Sequence, residues 1–467
     1  MSSNKTAVLI DADIMQRDAV ASWLAENEWN VLLAEDGETG MNLILSTHPD
    51  LVVCDQLAPK FNGFQLCRML RKEEALRDQV KIVVTTSGGY ATDRLNAMEA
   101  GADEFIVKPL AQREFLKLVR QLMGDWETVT IQRKAVQAAN AAAKHEPRPI
   151  LTPVLPLDQP ARVRFWGVRG SIPTPGHATL KYGGNTSCLE VRADGEIIVL
   201  DAGTGIAPLG SQLAREFAGQ PMPITVLISH THWDHIQGFP FFEPAYNPRN
   251  QVRILGFKGA REGLQSTLGG QMESPYFPIT MSQMPSNIQI EELRDLKFSI
   301  GRVGVEATYL NHPGLCLGYR LNTSCGAISY LPDNEPYQRF KYHTAGSATA
   351  GSAEALEYAR RQDQRLIDFV SGSEVLIIDS QYDSIEYQTR IGWGHGCVDD
   401  VVALALSAKV KKLFLFHHDP RHDDAHIDGM VEWARNFTTL LGEELEIAAA
   451  QEGLEVVLPP LPAPATA

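Results

Sequence analysis

Residues 224–235, ITVLISHTHWDH, set three histidines and one aspartate within six positions directly behind an apolar run. A short apolar run of this kind reads as a buried strand, and a buried strand belongs to a sheet with both faces covered. The end of such a strand holds side chains rigidly. The segment therefore calls for a sheet that delivers His230, His232, Asp234 and His235 to one open edge. His230 and His232 lie two residues apart and face the same side of an extended backbone. Asp234 and His235 follow on a turn that opens a helix.

Neutral imidazole and carboxylate suit Zn²⁺, Mn²⁺ or Fe²⁺. One metal takes about four ligands, and the motif can divide its own four between two metals, which then need further ligands from elsewhere. His312 in YLNHPG, Asp333 in ISYLPDNE and His417 in LFLFHHDP each follow or end an apolar strand-like run. His418 stands beside His417 as a competing ligand. His422 and His426, in PRHDDAHID, read as solvated loop residues.

At 467 residues the chain is too long for one ordinary core. Residues 1–124 alternate apolar runs (TAVLID, NVLLAE, DLVVCD, KIVVTT, EFIVKPL) with amphipathic stretches such as GFQLCRMLRKEE, ATDRLNAMEAGA and REFLKLVRQLMG. This alternation predicts a parallel sheet between helices. Residues 125–162 form a linker: an Ala-rich helix over 127–146, then PRPILTPVLPLDQP, with five prolines in fourteen residues. A second domain spans 163–457, with a small-residue loop at 343–355, and residues 458–467 form a disordered tail. No internal repeat is found.

The net charge of −15 weighs against a nucleic acid as the main partner, because phosphate backbones need basic surface. No apolar run approaches the roughly 18 residues of a membrane helix. The opening MSSNKTAVLIDAD lacks a signal-peptide layout. Cys54, Cys67, Cys188, Cys316, Cys325 and Cys397 form no C-x-x-C pair, which fits a reduced, cytoplasmic compartment.

In the first domain Asp11 and Asp13 follow the first strand, Asp55 the third, Thr86 the fourth and Lys108 the fifth. In a parallel sheet these groups converge at the carboxyl ends. There acids can hold Mg²⁺, and the metal with Lys108 can neutralise a phosphoryl group on Asp55. PDLVVCDQLAPKFNGFQLCRMLR and AGADEFIVKPL resemble the response-regulator receiver domain. The resemblance implies that Asp55 is the phosphoacceptor, Thr86 the switch hydroxyl, Phe105 the switch aromatic and Lys108 the lysine of the site. It implies a sensor histidine kinase as partner and a homodimer. Aligned through Arg17, the family's acidic pair falls on Asp11 and Ala12, so Asp13 is the residue left to replace a missing Mg²⁺ carboxylate.

HTHWDH, DAGTG, NHPG, YLPDNE, GWGHG and FHHDP, with FWGVRGSIPTPG and KYGGNTSC, resemble the phosphodiesterase branch of the metallo-β-lactamase superfamily. The branch includes ribonuclease Z-like enzymes and cyclic-nucleotide phosphodiesterases. The expected fold class is thus α/β: an N-terminal doubly wound (βα)5 receiver and a C-terminal αββα sandwich. The resemblance implies that His230, His232 and His312 bind one metal, that Asp234, His235 and His417 bind the other, and that Asp333 bridges them. It makes Asp234 the group that orients the attacking hydroxide and His395 the proton donor, with Gly396 where the family carries a serine or threonine. A small phosphodiester such as a cyclic nucleotide is the expected substrate. The alternatives are an RNA-processing metallo-nuclease, which no Lys/Arg-rich arm supports, and a signalling adaptor with a degenerate receiver, which Ala12 supports.

Overall fold

The computed structural model describes residues 5–124 except 74, 78 and 88–90, and residues 155–461 except 157–158, 258–262, 274–275 and 340–352. The expected helix over 127–146, most of the proline-rich stretch, most of the loop 343–355 and residues 462–467 lie outside the described residues. The chain divides into two compact units, Met1–Ile150 and Leu151–Ala467.

The first unit holds β1 (Thr6–Ile10), β2 (Asn30–Ala34), β3 (Leu51–Asp55), β4 (Lys81–Thr86) and β5 (Glu104–Val107), all parallel in the order β2-β1-β3-β4-β5. β1 and β3 are apolar at nearly every position, so both faces need cover. Leu24 of helix Ile14–Ala25 and Phe115 and Val119 of helix Gln112–Gly124 pack on Leu9, Val53 and Val83. On the opposite face Gly40 of helix Gly37–Thr47 lies against Ile10. The carboxyl ends carry Asp11, Asp55, Thr86 and Lys108 to one edge.

The second unit stacks two seven-stranded sheets. One contains β6 (Ala161–Gly167), β7 (Cys188–Ala193), β8 (Glu196–Leu200), β9 (Pro223–Ile228), β10 (Gln251–Gly256), β11 (Asn287–Glu292) and β19 (Glu455–Leu458), in the order β11-β10-β9-β8-β7-β6-β19. The other runs in chain order through β12 (Lys297–Ile300), β13 (Val303–Tyr309), β14 (Leu317–Thr323), β15 (Gly326–Leu331), β16 (Val375–Asp379), β17 (Lys412–Phe416) and β18 (Glu446–Ala449). Phe165, Leu189, Leu200 and Leu227 of the first sheet meet Tyr319, Ile328, Ile377 and Phe414 of the second.

The strand period of two puts Ile197 and Val199 of β8 on the outer face, under Leu209 and Leu213 of helix Ile206–Phe217. Leu376 and Ile378 of β16 likewise face out, under Val401 and Val402 of helix Val398–Ser407 and Met430 of helix Asp424–Leu441. The result is four layers, αββα. β19 takes in Leu458, and the Leu461 N–H donates to the Ser324 carbonyl at 3.2 Å, so the segment expected to be a disordered tail begins inside a strand. No helix among the described residues is long and apolar enough to cross a membrane.

Candidate functional site

Strand ends build the site in the second unit. β8 leads to Asp201, β9 to His230, β15 to Asp333 and β17 to His417, while β16 ends in Asp379. His232 stands at the start of the one-turn helix Trp233–Ile236, which carries Asp234 and His235. Two donor sets result. Asp333 Oδ2 lies 3.7 Å from His230 Nε2 and 3.5 Å from His312 Nε2, and His312 Nε2 lies 3.0 Å from His232 Nδ1. Asp333 Oδ1 lies 3.1 Å from His235 Nε2 and 3.4 Å from His417 Nε2, which are 3.3 and 3.2 Å from Asp234 Oδ2. Each oxygen of one buried carboxylate thus serves a different set.

These atoms fit cations. His230 Nε2, His235 Nε2 and Asp333 Oδ1 are buried and have no hydrogen-bond partner among the described residues. Donors held at about 2.0–2.2 Å from one ion are separated by about 3–3.5 Å in a tetrahedral set, close to the spacing seen. The imidazoles are aimed from behind. The His235 Nδ1–H donates to Asp201 at 2.8 Å, His312 Nδ1–H to the Gly394 carbonyl at 2.8 Å and His417 Nδ1–H to Gln381 Oε1 at 2.9 Å. Asp201, fully buried, also accepts from Ser229 N–H, Ser229 Oγ–H and Tyr330 O–H. With the Ser229 proton spent on Asp201, Ser229 Oγ accepts the His230 Nδ1–H at 3.1 Å.

Protonation favours ligation as well. Burial depresses His230 and takes His312 down to about 3, which leaves neutral rings. Burial alone would raise Asp333, but the neighbouring imidazoles, His417 and His235 first, hold it well below the usual carboxylate range. Burial also pulls His235 down, yet Asp333, Asp234 and Asp201 together push it well above its ordinary value. Three carboxylates around one ring call for positive charge at that point.

His395 reaches the same centre from the loop after β16. Its Nδ1 lies 3.0 Å from Asp379 Oδ2 and 3.8 Å from Asp333 Oδ2, and its ring stacks on His417 at 5.0 Å. Burial lowers its pKa, but Asp379, with Asp333 and Asp234 beyond, outweighs that and lifts it to about 9. Asp379 Oδ2 also accepts the Gly396 N–H at 3.1 Å. A Cβ at Gly396 would stand 2.2 Å from the Asp379 carbonyl oxygen, so a serine does not fit and the carboxylate supports His395 instead.

In the first unit Lys108 Nζ, almost fully buried, lies 2.7 Å from Asp11 Oδ2 and 3.1 Å from Asp55 Oδ2. Burial pushes Asp55 up to about 6, against the pull of Lys108 and with the push of Asp11. Thr86 and Phe105 are buried on the neighbouring strands β4 and β5. Ala12 is exposed, and Asp13 caps helix Ile14–Ala25, its Oδ1 accepting from Met15 N–H at 3.1 Å and Gln16 N–H at 3.4 Å.

Residues 7–120 match the family model of the response regulator receiver domain, and residues 197–418 match that of the beta-lactamase superfamily domain. The chain carries a receiver domain and a β-lactamase-fold domain. It is 32% identical over 141 residues to the probable transcriptional regulator ycf27 of Cyanophora paradoxa, which covers 30% of this chain and 57% of that protein. It is 34% identical over 116 residues to response regulator MprA of Mycolicibacterium vanbaalenii, covering 25% and 49%. The chain thus spans about half the length of the curated relatives it matches. Solved structures similar to it include the metallo-beta-lactamase fold protein YhfI from Bacillus subtilis (15% identity, TM-score 0.45, 64% of this chain and 99% of that one). The short form of human tRNase Z is another (17%, TM-score 0.42, 64% and 99%).

In the β-lactamase-fold domain, His418 turns away from the centre and its Nε2–H donates to the Ala450 carbonyl at 2.9 Å, so His417 alone of that pair faces Asp234. His417 holds a left-handed φ of 61°, and its ring lies 2.4 Å from where a Cβ of Gly170 would stand. His422, expected to be solvated, is buried: Arg169 Nη1–H donates to its carbonyl at 2.7 Å and draws the loop inward. Sequence reasoning left Asp201, Asp379 and Gln381 without roles. The signal for the two aspartates was there: each directly follows or ends an apolar strand run, in IIVLD and VLIID.

Proposed function

We propose that the chain is a receiver-controlled hydrolase of small phosphodiesters, cyclic nucleotides among them, that depends on two divalent metal ions. The observation that carries this reading is Asp333, with one oxygen in each donor set. His230, His232 and His312 would hold one ion and Asp234, His235 and His417 the other, with Zn²⁺ the best match to the donors and Mn²⁺ or Fe²⁺ next. Such a pair supplies Lewis acidity toward phosphoryl oxygens and a lowered pKa for water. Asp234, fixed by the Ser171 N–H at 2.7 Å, orients the attacking oxygen. His395 holds its Nδ1–H on Asp379 and gives the Nε2 proton to the leaving alkoxide. The net charge of −15 supports a small substrate over a polyanion.

In the receiver, Asp55 would take a phosphoryl group from a sensor histidine kinase, with Lys108, Asp11 and Mg²⁺ balancing its charge. Phosphorylation then shifts dimerisation or access to the hydrolase. A second reading, a receiver that only docks, draws on one observation: Asp13 Oδ1 serves as a helix cap while Ala12 offers no carboxylate.

Purified full chain tests both. The expected result is about two transition-metal ions per chain and turnover of a cyclic nucleotide or a nitrophenyl phosphodiester. No such metal, or no turnover on any phosphodiester including short RNA, overturns the hydrolase. A small phosphodonor with Mg²⁺ that leaves Asp55 unmodified overturns the switch.

A further inference from the structure

Four side chains outside that centre converge on a second point. Asp383 caps the short helix Ser384–Tyr387, which carries Glu386, and His422 and His426 flank the start of helix Asp424–Leu441. His422 Nε2 lies 2.8 Å from Glu386 Oε2. His426 Nε2 lies 3.4 Å from Asp383 Oδ2 and 4.0 Å from the same Glu386 oxygen. The two imidazoles stack with centroids 3.8 Å apart at 18°.

We propose that Asp383, Glu386, His422 and His426 form a further site for a divalent transition-metal cation, distinct from the centre built on Asp333. Two donors on one ion with bonds of about 2.0–2.2 Å lie at most about 4.4 Å apart, and the three nitrogen–oxygen separations given above are within that limit. Two nitrogens and two carboxylate oxygens are a donor set for Zn²⁺ and its neighbours. A cation also answers the electrostatics. Two rings stacked this closely cannot both carry a proton without repulsion, so protonation alone leaves the paired carboxylates under-compensated. One doubly charged ion takes both nitrogen lone pairs and balances both acids.

The donors are also held in place. Asp383 Oδ1 accepts the Ile385 and Glu386 N–H groups at 2.8 and 2.9 Å, which leaves Oδ2 facing His426. His422 is buried, with its carbonyl on Arg169 and its Nδ1 without a hydrogen-bond partner among the described residues. The carboxylates and His426 are a quarter to a third exposed, so an ion can enter from solution.

A site whose donors all come from the protein is the mark of a structural site. The ion would clamp the loop behind His417 to the segment behind Gln381. Gln381 already joins the two, through His417 Nδ1 and, at 3.1 Å, Asp419 Oδ2.

The test is Zn²⁺ itself, titrated into metal-stripped full chain and counted by elemental analysis. Wild type should bind one more equivalent than His426→Ala and than Glu386→Gln, which keeps the shape and hydrogen bond while removing the charge. Affinity for that equivalent should fall at least about tenfold in either variant. The comparison is repeated on His232→Ala: the one-equivalent difference made by His426→Ala should persist there, whatever becomes of the proposed dinuclear centre. His426→Gln replaces His426→Ala if circular dichroism shows the latter unfolded. Equal Zn²⁺ counts and affinities in wild type and the folded variants overturn the proposal.

Discussion

The two domains solve the same electrostatic problem in opposite ways. Each gathers carboxylates at the carboxyl ends of parallel strands, where little water remains to solvate them. The receiver brings its own counter-charge: Lys108 sits between Asp11 and Asp55. In the β-lactamase-fold domain the ion pairs of Asp201, Asp234, Asp333 and Asp379 are, among the described residues, all with histidines. An imidazole can point a lone pair as readily as a proton, so that site accepts a charge from outside. A balanced site can be switched by adding one charged group. An unbalanced one is complete only when loaded.

If that contrast is right, stripping metal should have the largest effect, and on one domain alone. Chelation, or His232→Ala, should lower phosphodiester turnover by about 10²–10³-fold or more, the scale of losing a preorganised electrostatic stabiliser. The thermal transition of the β-lactamase-fold domain should fall while that of the receiver stays. Calorimetry with and without chelator reads this directly, and an unchanged transition in both domains breaks the contrast.

His395 is the next test. His395→Ala should cost about 10²–10⁴ in turnover of substrates with alkoxide leaving groups. A nitrophenolate leaves without a proton and should be affected much less. Metal content should not change. Equal losses on both leaving groups would remove the proton-donor role.

The strand ends were legible because their cues are local. An apolar run followed by His or Asp can be read without knowing what it packs against, and His230, His232, Asp234, His235, His312, Asp333 and His417 do lie together. What escaped was relational. Asp201 and Asp379 look like any strand-terminal aspartate until His235 and His395 are seen against them. His422 reads as a loop residue because its burial is imposed by Arg169, more than 250 positions earlier in the chain. Asp13 could be aligned as a metal ligand, but the helix it starts uses its Oδ1 first.

Asp379 gives a pH signature. It raises His395, which must be protonated to act, so turnover of alkoxide-leaving substrates should hold at neutral pH and fall on the alkaline side. In Asp379→Asn the donor loses its proton sooner, and the alkaline limb should move to lower pH. Each unit of that movement is about tenfold in the protonated fraction above the limb. An unmoved limb assigns it to another group. Gly396→Ser, which restores the family's hydroxyl, should not help. Its Cβ meets the Asp379 carbonyl, and overpacking of this kind costs about 1–3 kcal/mol. A lowered unfolding midpoint checks it, and unchanged stability would show that the loop can yield.

The smallest effect should appear in the receiver, with a sign opposite to the loss expected in the other domain. Asp55 is held at about 6 because burial and Asp11 outweigh Lys108. A carboxyl raised above its unfolded value near 3.9 favours folding only while protonated. Its contribution is fully present below pH 4 and lost as pH rises through 6, so at pH 7 the ionised Asp55 works against its own domain. Asp55→Asn mimics the protonated form and should stabilise the receiver by about 1–3 kcal/mol at pH 7. The gain should shrink toward zero as pH falls to 4. Asp333→Asn in the metal-loaded chain should do the reverse to the β-lactamase-fold domain, since Asp333 is held far below its usual range by the groups around it. Thermal melts of both variants between pH 4 and 8 provide the comparison. If Asp55→Asn destabilises at pH 7, Lys108 does more than offset burial, and the receiver site is held together by its charges rather than poised against them.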